Sequence, residues 1–461
     1  MKVLLPIVVI CGVLIVTANV GLINMSESPK VLWIVIDCLR YDAFSSNGYH
    51  RPTTTAIDDR LESDFAKFSD ASTQSGFTLN VISSMMTGTY PTTHGILRWS
   101  DKFPTDLPTY REMVRDSGLG PAEAVAGMNF ITDEWGVNNA FDNVHNLDAQ
   151  KSERDCDQAV ASEVRTQAEE IFDTREDPNA LLWFFDLHTP WLSESTFNGS
   201  NPKRDHYDSE LQYVSAELET LFTRIEEQGV YDDTVIILTG DHGDIFDEYQ
   251  RLPWNRYTTL AEKVPGLHRF FDGDGYLGHL GRPFFEELVH VPLYIKLPDS
   301  RLGGETVHGQ VELIDIIPTI CELADIDLPE TVEGESLLPR IEGRESGKDF
   351  VRAEMGPNPA DGLIRMIRDG NYKYIKFDRP SIQDINEIRA DLLPYLGRRF
   401  FTPPEVLLER SSEDENVIHS HPDMASRMEN KLPEQTDGRI GDDGSAISDD
   451  KREELENLGY L

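Results

Sequence analysis

The sequence has little cysteine and few basic residues. Its four cysteines are scattered and include no C-x-x-C pair, which argues against a disulfide framework, a zinc finger and a thiol redox motif. Lysine and arginine number 42 against 82 acidic residues, so the formal net charge is −40. Because a nucleic-acid-binding surface needs a basic face, nucleic acid is not an expected partner. The sequence also shows no internal repeat.

The acidic residues are spread along the whole chain of 461 residues. Such a charge repels itself at low salt, whereas molar salt shortens the screening length to about 3 Å. The composition therefore predicts a protein from a high-salt cell, a halophilic archaeon. The alternative is a merely acidic protein of an ordinary cell.

Only one stretch is long and apolar. Val3–Ile23 follows Lys2 and is interrupted by Thr17 and Asn19 alone, and about 20 apolar residues are enough to cross a bilayer. The pattern favours a signal-anchor and membrane association through residues 3–23. In the alternative, translation starts at Met25 and the protein is cytoplasmic. The sequence says nothing about oligomeric state.

Three apolar, strand-like runs are each followed by residues that can bind a metal. Val31–Ile36 precedes Asp37, Ala180–Phe185 precedes Asp186 and His188, and Thr234–Thr239 precedes Asp241 and His242. In open parallel α/β sheets, sites gather at the carboxyl ends of strands. Carboxylates and imidazoles there predict a divalent-metal site.

A fourth feature is the segment that starts at Thr78. Thr78 precedes an apolar run that predicts a short helix ending near Gly88. The N–H groups and partial positive charge at a helix N-terminus suit an anionic ester, which would then face the Thr78 hydroxyl. On local grounds alone this could instead be a Ser/Thr-rich buried helix. His94 nearby is interpreted as structural, and Arg40 and Asp42 as a structural pair.

The remaining pattern predicts helices over Ser152–Asp173 and Val311–Ala324, and short strands around a turn at Asp369-Gly370-Asn371. The predicted fold is α/β, with a large, mostly parallel sheet between helices and a smaller C-terminal antiparallel subdomain. The predicted segments are 1–24 (apolar N-terminus), 25–346 (catalytic domain), 347–432 (C-terminal subdomain) and 433–461 (acidic, flexible tail with a short terminal helix).

Several motifs together resemble the sulfatase family of the alkaline phosphatase superfamily. They are VLWIVIDCLRYD at the first strand, SSMMTGTYPTTHG after Thr78, DLHTPW, TGDHGD, GHLG before FEELVHVPL, and IRDGNYKYIKF. The resemblance runs from Val31 to the C-terminus. It implies a sulfatase-like fold and the hydrolysis of sulfuric or phosphoric esters.

The chain departs from the family pattern at the nucleophile. Family sulfatases carry Cys or Ser in a C/S-x-P-S-R motif and oxidise it to formylglycine, whereas Thr78-Leu79-Asn80-Val81-Ile82 stands here. Oxidation of a threonine gives a ketone, so formylglycine is not expected. Cys38 replaces the second acid of the first strand, and His242 replaces an asparagine. An intact Thr with an Asp-His pair is similar to the phosphodiesterase and phosphonate-hydrolase branches.

Together these residues suggest a metal-dependent hydrolase with a covalent phospho- or sulfo-threonine intermediate. Asp37, Asp241 and His242 would hold a metal that also binds deprotonated Thr78. A second group would hold another metal or protonate the leaving group, and its members are Asp186, His188 and His279. One or two ions are expected; the histidines favour zinc or manganese, with calcium as the alternative. The alternatives are a membrane-anchored head-group transferase acting on lipids or glycans, and a degenerate non-catalytic binding protein.

Overall fold

The structure is a computed structural model. It describes residues 29–97, 101–128, 131–132, 135–147, 159–189, 191, 195–246, 284–358, 362–378, 404–413 and 415–433. Within these ranges no helix is both long and apolar enough to cross a bilayer. The predicted anchor, residues 3–23, and the predicted tail beyond Pro433 lie outside them.

An eight-stranded sheet forms the centre of the fold, in the order β4-β3-β5-β1-β6-β7-β2-β8. Its strands are β1 (Lys30–Ile36), β2 (Ala66–Ser72), β3 (Ala122–Ala126), β4 (Asn143–Asn146), β5 (Asn179–Phe184), β6 (Thr234–Gly240), β7 (His290–Lys296) and β8 (Thr306–Glu312). Only β7 pairs antiparallel, with β6 and β2. β1 lies between β5 and β6 and is parallel to both.

Helices cover this sheet on both faces. The helices of this part of the chain are α1 (Asp58–Asp64), α2 (Thr78–Thr87), α3 (Pro91–His94), α4 (Tyr110–Val114), α5 (Ala161–Thr174), α6 (Pro202–Glu227), α7 (Glu286–Val289), α8 (Ile316–Leu323) and α9 (Leu338–Ile341). Of these, α7 packs against strands near the C-terminus instead. Side chains of β1 alternate between two apolar cores, as strand geometry requires. Val31, Trp33 and Val35 pack on the face that carries α2 and α8. Leu32, Ile34 and Ile36 pack on the face that carries α5 and α6.

A separate four-stranded antiparallel sheet follows, in the order β12-β11-β10-β9. Its strands are β9 (Val351–Asn358), β10 (Gly362–Arg368), β11 (Tyr372–Asp378) and β12 (Glu405–Glu409), and helix α10 (Pro422–Glu429) packs on it. The predicted turn connects β10 to β11, with the Asp369 N–H donating to the Tyr372 carbonyl over 2.9 Å. Both sheets confirm the predicted fold class.

Two helix predictions were partly wrong. Val311 and Glu312 end β8, because they continue its parallel pairing with β2; a 3-10 turn then leads into α8 at Ile316. The helix predicted from Ser152 begins at Ala161 instead. Residues 152–158 lie outside the described ranges, and Val160 has extended dihedrals (φ −87°, ψ 158°). Strands β2, β4, β8 and β12 were not predicted.

Candidate active site

The site lies at the carboxyl ends of the neighbouring strands β1 and β6. Ile36, the last residue of β1, pairs with Gly240, the last residue of β6. The chain continues to Asp37 on one strand and to Asp241 and His242 on the other. These three side chains are fully buried. Parallel pairing of β1 and β6 therefore brings the first and third predicted strand ends together.

Thr78 joins them from above, as the first residue of α2. Phe77 before it has extended dihedrals (φ −135°, ψ 115°) and gives no side-chain cap, and the helix ends at Gly88 in the left-handed region (φ 66°), as the sequence predicts. The Thr78 hydroxyl donates to Asp37 Oδ2 over 3.3 Å. It lies 3.2 Å from His242 Nε2.

The first turn of α2 presents its backbone N–H groups beside that hydroxyl. The Val81 N–H donates to the Phe77 carbonyl over 3.1 Å and closes this turn. The N–H groups of Thr78, Leu79 and Asn80 precede it, and a helix leaves these first donors without intrahelical acceptors. This end of the helix therefore favours an anion.

Asp241 organises the loop around the site. Its Oδ1 accepts from the backbone N–H groups of Cys38, over 3.1 Å, and of His242, over 2.7 Å. Gly243 then runs so close to the chain before β7 that a β-carbon would lie 1.8 Å from the Glu287 carbonyl oxygen. Only glycine fits this approach, which fixes the loop that carries His242.

The hydrogen bonds of His242 define its tautomer. Nδ1 lies 2.8 Å from the Gly243 carbonyl oxygen. Because a carbonyl can only accept, Nδ1 carries the hydrogen in the neutral ring. Nε2 therefore keeps its lone pair, and this atom faces Thr78 and lies 3.4 Å from Asp241 Oδ2. A histidine held this way is the usual arrangement for a metal ligand.

The residues present fit a divalent metal. Ligand atoms of Asp37, Cys38 and His242 all lie within 4.8 Å of one another. Asp37 Oδ1 is buried and has no hydrogen-bond partner among the described residues. Burial, then the neighbouring Asp241, raises the pKa of Asp37 well above its usual range. Two carboxylates crowded in a dry site are costly unless a cation joins them.

Cys38 is the member of this cluster that the sequence analysis did not identify as a ligand. It lies directly after Asp37 in the left-handed region, with φ 60°. Burial, then Asp37, raises the pKa of its thiol well above the usual range. The signal in the sequence was that Cys38 directly follows a predicted ligand at the end of a strand. The direction of its side chain, however, depends on this unusual φ, which the sequence does not show.

Asp186 and His188 lie elsewhere. Asp186 Oδ1 accepts from the Ala161 N–H at the start of α5, over 2.9 Å, and burial raises the pKa of Asp186 to about 7. His188 Nδ1 lies 2.6 Å from the Thr189 carbonyl oxygen. Neither joins the cluster formed by Asp37, Cys38 and His242. His279 lies outside the described residues, so its predicted role stays a prediction.

Two structural interpretations are confirmed. Arg40 binds Asp42 through two hydrogen bonds, Nε to Oδ1 over 2.8 Å and Nη2 to Oδ2 over 2.7 Å. His94 is buried at the end of α3; its Nδ1 accepts from the Ile96 N–H over 3.1 Å and its Nε2 lies 3.0 Å from Ser84 Oγ. Burial lowers the pKa of His94 to about 3, so this ring is neutral at ordinary pH.

Comparison with known proteins identifies the family of the chain. A model of the sulfatase family matches residues 29–326, which is more than half of the chain. The chain belongs to the sulfatase family. A second model, described as N-sulphoglucosamine sulphohydrolase, C-terminal, matches residues 266–388 of this sulfatase-family protein. The resemblance seen in the sequence motifs is thereby confirmed.

Curated relatives are distant. The chain is 28% identical over 174 residues to the multifunctional alkaline phosphatase superfamily protein PehA of Trinickia caryophylli, covering 34% of this chain and 29% of that protein. It is 21% identical over 377 residues to an ulvan-active sulfatase of Formosa agariphila, covering 76% of this chain and 66% of that enzyme. The aligned stretches thus span less than two thirds of either relative.

Solved structures show the same fold. The phosphonate monoester hydrolase of Agrobacterium radiobacter superposes with a TM-score of 0.65 at 17% identity, covering 88% of this chain and 94% of that one. At this identity the likeness concerns the fold alone. This sulfatase-family protein therefore shares its fold with that enzyme.

Proposed function

We propose that this protein is a metal-dependent hydrolase of phosphodiesters or phosphonate esters, with Thr78 as its nucleophile. The observation that carries the proposal is the Thr78 hydroxyl, buried at the start of α2 between Asp37 Oδ2 and His242 Nε2, at 3.3 and 3.2 Å. An unmodified hydroxyl at this position suits phosphoryl chemistry. The name of one structurally similar protein, a phosphonate monoester hydrolase, supports the phosphonate-ester part of this substrate class.

Asp37, Asp241 and His242 would hold the metal. A bound divalent cation would lower the pKa of the Thr78 hydroxyl and withdraw charge from the ester. Asp37 Oδ2 already receives the hydrogen bond of that hydroxyl, at 3.3 Å, and would take up its proton, whereas the lone pair of His242 Nε2, at 3.2 Å, would be used by the metal. The N–H groups at the start of α2 would bind the oxygens of the anionic ester, so that its phosphorus faces Thr78 Oγ.

The reaction then runs in two displacements. In the first, a bond forms between Thr78 Oγ and phosphorus, the bond to the leaving oxygen breaks, and the leaving alcohol takes up a proton. In the second, water attacks the phosphothreonine, the bond to Thr78 Oγ breaks, and the threonine hydroxyl regains its proton. A positioned nucleophile of this kind replaces one difficult step by two easier ones.

The test measures turnover of four p-nitrophenyl substrates: a sulfate, a phosphate monoester, a phosphodiester and a phosphonate ester. Assays run at molar salt with manganese or zinc. Thr78→Ala should abolish turnover of the diester or phosphonate ester, whereas Thr78→Ser should retain part of it. Thr87→Ala is the matched control, because it makes the same change at the other end of α2, where Thr87 bonds to Ser83.

The other outcomes are informative. If the sulfate ester is the preferred substrate, the inference from Thr78 to phosphoryl chemistry is wrong. If Thr78→Ala remains active, the covalent mechanism is wrong. If no p-nitrophenol is released from any substrate with any metal, a head-group transferase or a non-catalytic binding protein becomes the better explanation. Turnover in the presence of a lipid or glycan acceptor would distinguish the transferase from the binding protein.

A further inference from the structure

We propose that Cys38 is a thiolate ligand of the metal beside Thr78, and that it makes this site prefer thiophilic ions such as Zn²⁺ and Co²⁺ to Mg²⁺, Ca²⁺ and Mn²⁺. The proposal rests on the proposed function only because both need a metal at this site. It concerns this chain's own residue after β1 and makes no use of the substrate.

The first argument is distance. One ligand atom each of Asp37, Cys38 and His242 lies within 4.8 Å of the others, in a fully buried cluster. Zinc bonds of about 2.0–2.3 Å place tetrahedral ligand atoms roughly 3.3–3.8 Å apart. Small side-chain shifts are therefore enough to close an oxygen, a sulfur and a nitrogen around one ion.

The second argument is an unsatisfied oxygen. Asp37 Oδ1 is buried, while Oδ2 of the same carboxylate accepts from Thr78. Among the described residues Oδ1 has no hydrogen-bond partner. A buried carboxylate oxygen without a hydrogen-bond donor is energetically costly, so this oxygen points to a cation that binds here. The oxygen belongs to the residue directly before Cys38 and lies in the same cluster.

The third argument is the backbone of Cys38. A left-handed conformation costs a residue with a side chain about 1–2 kcal/mol, and glycine avoids that cost. This chain uses glycine at eight of its described left-handed positions, Gly88 and Gly95 among them, and keeps a side chain at six. Cys38 is one of these residues, with φ 60°. Two hydrogen bonds hold its conformation: its N–H donates to Asp241 Oδ1 over 3.1 Å, and its carbonyl accepts from the Tyr207 hydroxyl over 2.8 Å.

The chemistry of the donor set then decides the ion. Carboxylate oxygen alone suits calcium, magnesium and manganese, whereas thiolate together with imidazole favours zinc and cobalt. On binding, a bond forms between the metal and Sγ of Cys38, and the thiol proton is released to solvent. Replacement of sulfur by oxygen should therefore change which ion binds while leaving the other ligands in place.

The test is optical and needs no substrate. The full chain is depleted of metal and titrated with Co²⁺, and the near-ultraviolet band of sulfur-to-cobalt charge transfer is recorded beside the visible d–d bands. The band should appear in the wild type and disappear in Cys38→Ser. Cys321→Ser is the matched control, because Cys321 is also a buried thiol but lies in α8, outside the cluster.

Competition dialysis gives the selectivity. The preference for Zn²⁺ over Mn²⁺ should fall at least about tenfold in Cys38→Ser, equivalent to ~1.4 kcal/mol. If that variant does not fold, zinc-edge X-ray absorption of the wild type still decides, since a thiolate ligand gives a zinc–sulfur distance of about 2.3 Å. A sulfur scatterer that is kept in Cys321→Ser supports the proposal.

Several results would overturn it: cobalt binding without the charge-transfer band, a band that survives in Cys38→Ser, a zinc shell of nitrogen and oxygen alone, or no metal binding at all. Failure of the proposed function looks different. If the band appears but no ester is cleaved, the thiolate ligand stands and the hydrolase proposal falls. If esters are cleaved and the band is missing, only the thiolate ligand is refuted.

Discussion

His94 should make the protein sensitive to mild acid, and the structure predicts by how much. Its Nδ1 accepts from the Ile96 N–H at 3.1 Å, so protonation there would break that bond and bury a charge. Burial lowers the folded-state pKa to about 3 from an ordinary 6.5. Below about pH 6.5 the unfolded chain binds one proton more than the folded chain, and stability therefore falls as the pH falls.

The slope follows from linkage. One proton difference costs about 1.4 kcal/mol per pH unit, so this residue should remove roughly 2.5–3 kcal/mol between about pH 7.5 and about pH 4.5. In His94→Asn, the amide oxygen can still accept from the Ile96 N–H and carries no charge at any pH. The variant starts less stable at neutral pH, because Ser84 loses its partner at a cost of about 1–3 kcal/mol.

The assay is urea unfolding at molar salt, repeated at several pH values, with the difference in unfolding free energy between wild type and His94→Asn plotted against pH. The difference should shrink or change sign as the pH falls. The same substitution at the exposed His308 is the matched control, because it leaves the buried turn after α3 intact. If the curves of wild type and His94→Asn stay parallel, the neutral, buried histidine is refuted.

Two further perturbations test the site and the contact between the two sheets. Asp37→Asn should lose turnover, and manganese or zinc should no longer raise its melting temperature. In the wild type, metal at a hundredfold excess over Kd should stabilise the fold by about 2.7 kcal/mol. Calorimetry with and without metal measures this, and an undiminished rise in the variant would exclude Asp37 as a ligand. Asp70→Asn should cost about 1–3 kcal/mol in urea unfolding, because it removes the charge that lies 2.7 Å from Nη1 of the buried Arg368 and leaves only Glu286, at 3.6 Å, to pair with it. Asp173→Asn, in an exposed pair with Arg224 at 3.0 Å, is the control and should cost no more than about 1 kcal/mol.

Much of this site could be predicted because its residues follow simple local rules. Asp37 and Asp241 come after apolar runs that can only be buried strands, and adjacent parallel strands place such residues side by side. Thr78 precedes an apolar run that ends at a glycine, which is enough to define a helix and its N-terminus. None of these inferences needed the register of the sheet.

Asp186 shows what such rules leave out. Like Asp37, it follows an apolar strand, which predicts a residue of a metal or leaving-group site at the same edge of the sheet, but β5 pairs Phe184 with Ile36. Asp37 therefore comes one residue after the paired level and Asp186 two residues after it. Since successive side chains in a strand alternate between faces, the two carboxylates point to opposite sides of the sheet. The residue types at the strand ends cannot reveal this difference, because it depends on the register of strand pairing to within one residue.

The placement of Asp37 and Asp186 on opposite faces also explains why their electrostatic surroundings differ. Asp186 lies at the N-terminus of α5, where the Ala161 N–H satisfies one of its oxygens and the other has no partner among the described residues; burial raises its pKa to about 7. Asp37 also has one partnered and one unpartnered oxygen, but it lies beside a second carboxylate, Asp241. The face that carries Thr78 thus contains an uncompensated pair of carboxylates, and a cation placed there would join the nucleophile, the helix N-terminus and the ester in one site. The charge that disfavours an anionic substrate in the empty site is therefore the same charge that would recruit the ion needed to bind it.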